Sequence, residues 1–269
     1  MSAPPSLVLV GAGRMGAALA RGWLNGKSKR RFAVVEPSPS EEVAGWAAED
    51  MIDLAPAPSP AGILVLAVKP QQFATIAGAV REFAGPKTLV VSIMAGVRIA
   101  QISRRLETPR IVRAMSNTPG AIGQGITVIS AAAGLPAADL AAARALLAPL
   151  GDVEGPVDEN LMSAVTALSG SGPAYLFLLA ETMAEAGESE GLPRALAQRL
   201  ARRTVEGAAA LMASSAETPE ALRRAVTSPG GTTQAALDIL MDTGGMPRLL
   251  RDALRAAATR DRQLSKEAD

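Results

Sequence analysis

The stretch "LVLVGAGRMGAALA", residues 7–20, decides the fold. Four aliphatic residues run straight into three spaced glycines, and the glycines run into alanine and leucine at helical spacing. A short, continuously apolar run bounded by glycine is the pattern of a strand buried on both faces. In a strand–turn–helix of this kind Gly11 permits the tight turn, Gly13 lets the backbone approach a pyrophosphate, and Gly16 lets the helix pack closely on the sheet. The N–H groups at the helix start then face the anion. Ala12, Arg14 and Met15 complete the loop and are assigned with the glycines to dinucleotide contact.

Outward from this motif the same grammar repeats. "FAVVE" (32–36), "GILVLAV" (62–68), "KTLVVSI" (87–93) and "RIVRAM" (110–115) are apolar runs bounded by Gly, Pro or charge, with helical patterns between most of them. That predicts an α/β protein with an N-terminal Rossmann-type, doubly wound parallel sheet. "GITVIS" (125–130), the helical stretch 137–151 and "DVEGPV" (152–157) extend the sheet at one edge. From Asp158 onward the strand signals vanish and Ala, Leu, Arg and Glu recur at helical spacing. The expected division is therefore a dinucleotide-binding domain over 1–157 and an all-helical domain over 158–269. Helix starts are marked by Asp158, by Pro193, and by Thr218-Pro219-Glu220, where a capping hydroxyl precedes a proline.

Composition narrows the chemistry. The chain has 269 residues, 48% of them apolar, with 27 basic against 26 acidic side chains. Such a balance gives no field that draws in nucleic acid or an anionic membrane, so a small molecule or a second copy is the expected partner. There is neither Cys nor His. Disulfides, thiolate catalysis, Cys- or His-ligated metals, a Ser-His-Asp triad and an imidazole proton donor are all excluded, and no metal site is predicted. "MSAPPS" does not read as a secretory leader, which suits a cytoplasmic protein. Residues 162–180 carry no charge, but Gly170, Gly172 and Pro173 interrupt them, so a buried helix pair is expected rather than a membrane span. Helices that apolar carry more surface than one chain buries easily. Intertwined dimerisation solves this, giving a homodimer or an assembly built on dimers; a compact monomeric bundle is the alternative.

Strand ends supply the remaining cofactor candidates. Glu36 stands twenty residues past Gly16, where an acidic side chain accepts from adenosine ribose hydroxyls and repels a 2′-phosphate, which favours NADH. Ser38 and Ser40 follow at once and can donate to a phosphate, and Glu36 also reads as a solvated residue closing a strand. Val68 and Lys69, then Ala95 and Gly96, then Asn117 and Thr118, end successive strands at the crevice where ligands of such sheets bind, although Lys69 reads equally as a solvated strand end. Asn117 and Pro119 are equally able to build a turn.

"SPGGTTQAALD" (228–238) crowds Pro, two glycines and two threonines into one junction. The helix start it opens is a ready carboxylate site, because unsatisfied N–H groups and the positive end of the dipole both favour an anion. An ordinary capped corner is the plainer reading of the same residues.

Taken together, "GAGRMG", "VKP", "RAMSNTP", "LSGSGPAYLF" and "VTSPGGTT" resemble the pyrroline-5-carboxylate reductase family, over residues 7 to 265 or so. The resemblance implies NADPH as cofactor with NADH possible, 1-pyrroline-5-carboxylate as substrate and L-proline as product. It implies a helical domain that interlocks with a partner subunit. It assigns Ser228, Gly230, Gly231, Thr232 and Thr233 to the substrate carboxylate, with Thr233 contacting the ring nitrogen as the catalytic hydroxyl; Ser171 faces the substrate or the dimer partner. Ser116 stands where the family commonly has Pro, and Glu36 where it often has a neutral or basic residue.

The absence of histidine fits this chemistry. Hydride arrival at a ketone builds an alkoxide that needs a proton or an oxyanion stabiliser. At a protonated imine it neutralises a cation instead, so orientation becomes the protein's main task. β-Hydroxyacid dehydrogenases place a catalytic lysine on the interdomain helix, whereas this chain has no lysine between Lys87 and Lys266.

Overall fold

The computed structural model describes residues 6–26 and 31–267. The absence of a leader read from "MSAPPS" falls, but for Ser6, outside them. Eight strands form one sheet in the order β3-β2-β1-β4-β5-β6-β7-β8. They are β1 (Leu7–Val10), β2 (Phe32–Val35), β3 (Ile52–Leu54), β4 (Ile63–Leu66), β5 (Leu89–Ser92), β6 (Ile111–Met115), β7 (Gly125–Ala131) and β8 (Gly151–Glu154). The first six are parallel, β7 runs antiparallel to β6, and β8 is parallel to β7. Helices α1 (Arg14–Asn25), α2 (Glu41–Ala48), α3 (Pro70–Arg81), α4 (Ile99–Leu106) and α5 (Ala137–Leu147) connect the strands.

Side chains alternate along the strands into two buried layers, as the period of two requires. Leu7 and Leu9 of β1 join Leu19, Trp23, Phe32, Val91 and Leu147 in one layer. Val8 and Val10 join Leu64, Leu66, Phe73, Val90 and Ile102 in the other. Both faces are covered, which is why the strands read as unbroken apolar runs. The Trp23 indole N–H donates to the Leu146 carbonyl at 2.8 Å, and its ring meets Phe32 edge-on at 5.2 Å. β1 has the expected limits, and β2, β4, β5 and β6 are trimmed by one or two residues at one end or both; β7 runs one residue further, while β8 starts one residue earlier and stops at Glu154, short of the expected Val157. β3 was not foreseen: it is three residues long, and exposed Asp53 interrupts its apolar run.

The rest of the chain is helical: α6 (Met162–Val165), a π-helical turn (Thr166–Gly170), α7 (Gly172–Ser189), α8 (Arg194–Ser214), α9 (Pro219–Ala225), α10 (Thr232–Leu240) and α11 (Met246–Glu267). Three of the expected starts are explicit. Asp158 accepts from the Asn160 N–H at 2.8 Å, Thr218 Oγ1 caps α9 by accepting from the Ala221 N–H at 3.2 Å, and Pro193 immediately precedes α8.

By packing, the chain divides into two units at 170/171 rather than 157/158, and the residues from 257 onward rejoin the first unit. Side-chain ties explain the shift. Glu159 Oε1 accepts from the Ile99 N–H at the start of α4 (2.8 Å) and pairs with Arg113 Nη1 on β6 (3.2 Å). At the other end Gln101 Nε2 donates to the Ser265 carbonyl at 2.8 Å. These partners lie so far apart in sequence that no local pattern announces them.

In the second unit α7 and α8 form an antiparallel hairpin whose buried positions are Ala184, Ala197 and Ala201. The expectation of a buried helix pair needs correction for a single chain: Phe177 is 69% exposed, and Leu176 and Leu178 more than half. Small residues let the helices approach, and the large ones are left largely uncovered.

Candidate functional site

The sheet order reverses direction between β1 and β4, and the loops after β1, β4 and β5 leave the same carboxyl edge. Gly11 adopts φ +91°, and its N–H donates to the Val35 carbonyl. A Cβ on Gly11 would lie 2.8 Å from the Ala67 backbone and from Val68 Cγ1; one on Gly16 would lie 2.2 Å from the Gly11 carbonyl oxygen. The first glycine is thus required by the turn and the third by helix–loop contact. At Gly13 a Cβ would meet no atom within 4 Å. The space beyond Gly13 is open to a ligand, and α1 begins there without a side-chain cap or an acidic residue in its first turn. A pyrophosphate fits such a cradle, since the first-turn N–H groups have no intrahelical partner. Ala12 is buried, Met15 half-buried, and Arg14 exposed.

Glu36 follows β2 directly, and both its oxygens are engaged. Oε2 accepts from the Ala12 N–H at 2.8 Å and Oε1 from the Ser38 N–H at 3.1 Å. The simple reading of a solvated strand end is overtaken by this tie between the glycine loop and the β2–α2 loop. Ser38 is exposed, and the Ser40 hydroxyl caps α2 by accepting from the Val43 N–H. Beside them Arg21 of α1 holds Glu42 of α2 through two 2.7 Å bonds. The hydrogen bond from Arg21 holds the Glu42 carboxyl below its ordinary value, with partial burial opposing it.

Val68 is half-buried against the glycine loop, while Lys69 is exposed at the start of α3. Gly96 has φ +73°, and a Cβ there would come 3.7 Å from Leu264 and Ser265; Ala95 beside it is half-buried. Asn117 ties elements distant in sequence: its Oδ1 accepts from the Ile126 N–H (3.1 Å), and its Nδ2 donates to Ser169 Oγ (3.3 Å). Ser169 lies in the π-helical turn, a feature that sequence periodicity does not register.

The junction before α10 is resolved by its turn. The Gly231 N–H donates to the Ser228 carbonyl at 3.0 Å, with Pro229 second and Gly230 third at φ +68°, the residue order of a type II turn. A Cβ on Gly231 would lie 2.4 Å from Ser228 Oγ and 3.1 Å from the Ser228 carbonyl oxygen, so a larger residue there would require the Ser228 side chain to turn away. The helix then starts at Thr232 with no side-chain cap and no acidic residue in its first turn. Ser228, Gly230, Thr232 and Thr233 are exposed, and among the described residues neither threonine hydroxyl has a partner. Ser171 is half-buried at the N-terminus of α7. The cofactor candidates therefore gather in the first unit, whereas Ser171 and residues 228–233 belong to the second.

Comparison with known proteins bears on both units. Residues 159–264 match the family model described as pyrroline-5-carboxylate reductase dimerisation, and residues 6–96 match one described as NADP oxidoreductase, coenzyme F420-dependent. The chain is 39% identical over 268 residues to pyrroline-5-carboxylate reductase of Pseudomonas aeruginosa, covering 98% of each. The chain belongs to the pyrroline-5-carboxylate reductase family.

Solved structures of the family superpose along the whole fold. The reductase of Coxiella burnetii aligns with a TM-score of 0.86 at 31% identity, covering 97% of this chain and 99% of that one. The Plasmodium falciparum pyrroline carboxylate reductase, solved with NADP bound, aligns with a TM-score of 0.79 at 25% identity, covering 97% and 98%. Pyrroline-5-carboxylate reductases are thus similar to this chain in both units.

The groove of about 640 Å³ between α7 and α8, lined by Leu176, Phe177, Ala180, Glu181, Val205 and Glu206, contains none of the predicted site residues. Its apolar lining suits contact with protein better than polar chemistry.

Proposed function

We propose that the chain reduces 1-pyrroline-5-carboxylate to L-proline, with residues 228–233 holding the substrate. The observation that carries this assignment is the uncapped start of α10 behind the Ser228–Gly231 turn. An anion there gains about 0.3–2 kcal/mol from the helix end, and the exposed N–H groups of Thr232 and Thr233 add direct donors. The substrate's carboxylate is that anion. The Thr233 hydroxyl, which has no partner among the described residues, orients the ring nitrogen; Ser171 contributes a second hydroxyl.

A reduced nicotinamide dinucleotide, when bound at the glycine loop, supplies the hydride. The cradle fits it: Gly13 faces open space, and α1 presents its first-turn N–H groups uncapped. The protonated imine carbon accepts the electron pair, the C=N π pair moves onto nitrogen, and the cation is neutralised. No group as acidic as an imidazolium is required, in keeping with a chain that lacks histidine. Placement supplies most of the acceleration.

Two copies pair through the helical unit. The exposed faces of α7 and α8, together with the match of residues 159–264 to a dimerisation model, support this. The stretch Glu159–Ser189 is long and apolar enough to cross a membrane by composition, its most apolar part having a mean hydropathy of 1.3. Its π-helical turn and the three glutamates of α7 facing the groove favour subunit contact in a cytoplasmic enzyme.

The test follows nicotinamide absorbance on adding 1-pyrroline-5-carboxylate with each cofactor. Oxidation at a rate set by enzyme concentration is expected; none at all sinks the assignment. Thr233→Ala should lower kcat/KM roughly tenfold or more, the loss of about 1.4 kcal/mol of transition-state stabilisation. Thr233→Ser should restore most of it, and unchanged kinetics in the alanine variant remove Thr233 from the mechanism.

A further inference from the structure

The engaged carboxylate of Glu36 bears on the choice of cofactor. We infer that Glu36 selects the adenosine half of the cofactor, accepting from the ribose hydroxyls and turning away a 2′-phosphate, so that this chain binds NADH in preference to NADPH. The inference rests on the reading of the glycine loop as a dinucleotide site.

Glu36 stands at the carboxyl end of β2, beside β1 and its glycine loop. It is fixed there by the Ala12 and Ser38 N–H groups, one on each oxygen. A carboxylate offers about four lone-pair sites. Two are taken by the backbone, and the remaining two can accept from the 2′- and 3′-hydroxyls of a ribose. A 2′-phosphate has only acceptors to offer at this pH range. It would need the very N–H groups that Glu36 holds, and it would set roughly two negative charges against a third.

No cation on the neighbouring β2–α2 segment compensates, and the exposed Ser38 hydroxyl is a single neutral donor against that charge. There is no Lys or Arg from residue 32 to 68, and α2 opens with Glu41 and Glu42. Arg21 is committed to Glu42 through both of its bonds, and the Ser40 hydroxyl is committed to the Val43 N–H. The glycine loop does carry exposed Arg14, but it opens α1, where the pyrophosphate of either cofactor gains from a cation. The selectivity so derived departs from the NADP-type model matched by residues 6–96 and from the NADP bound by the Plasmodium relative.

Calorimetric titration of the full-length protein with NADH, NADPH, ADP-ribose and 2′-phospho-ADP-ribose reads the preference without turnover. NADH is expected to bind roughly tenfold tighter than NADPH, about 1.4 kcal/mol, with the same order for the two fragments. Glu36→Ser should narrow or reverse that ratio by roughly tenfold. Glu36→Gln, which keeps an acceptor for the Ala12 N–H, should narrow it less, and serves if the serine variant loosens the loop. Arg14→Ala should weaken both dinucleotides alike. Tighter NADPH binding by the unmodified protein, or a ratio indifferent to both Glu36 substitutions, overturns the role given to Glu36. Binding of neither dinucleotide overturns instead the reading of the crevice.

Discussion

Leu9 on β1 and Leu64 on β4 are fully buried within one chain, whereas Phe177 on α7 leaves 69% of its surface open, although both regions lie in uncharged runs. The sheet unit has helices on both faces and closes over its own apolar residues. The helical unit buries three alanines at its hairpin seam and leaves its large side chains largely uncovered. Equal hydrophobicity in the sequence therefore leads to two different fates. One region obtains its stability internally, and the other leaves its largest apolar surface for association.

That contrast can be broken most severely in the sheet. Leu64→Ala should cost about 2–5 kcal/mol, through lost burial and the cavity left behind. The drop in denaturation midpoint should not change with protein concentration; a strong concentration dependence would erase the distinction. Phe177→Asp should act on the other side, weakening self-association by about 2 kcal/mol or more if it sits at the centre of the contact. Light scattering should then report single chains that retain their sheet and their cofactor affinity. An unchanged mass would show that the exposed face is not the contact.

The smallest effect sharpens the comparison by showing what does not differ. Glu42 has a folded pKa lowered below 4.5 by its hydrogen bond from Arg21, against an opposing burial effect. A lowered folded value means that the pair's contribution is complete above the unfolded pKa and vanishes as pH falls through the folded one. Glu42→Gln should thus cost about 0.2–1 kcal/mol at pH 7 and nothing near pH 2, since the pair is largely exposed. A loss persisting in acid would point to packing rather than charge.

Much of this was legible in the sequence because the sheet is buried on both faces. Runs such as residues 7–10 and 63–66 advertise themselves when every side chain is apolar, and the glycines with their capping and turn residues fix where chains reverse. What stayed hidden depends on partners far away in sequence. Glu159 looks like a solvated residue near a helix start, yet it caps α4 and meets Arg113. Asn117 gives no hint that it ties β7 to the π-helical turn. Glu36 was visible as a candidate, but not its hold on Ala12, because a 24-residue separation has no periodic signature. The Ser228–Gly231 turn was legible as an irregularity, three breakers in a row, and its type II geometry accounts for Pro229 and Gly230.

The return of α11 to the sheet has a bearing on biosynthesis. Gln101 and Ser265 are separated by 164 residues, so at about 5–20 residues per second the ribosome emits the second partner roughly 8 to 33 seconds after the first. Until then the nascent chain holds α4 and the Gly96 turn without their covering segment, while the oily hairpin has already emerged. Any assistance from a chaperone would be needed most in that interval, before the end of α11 docks.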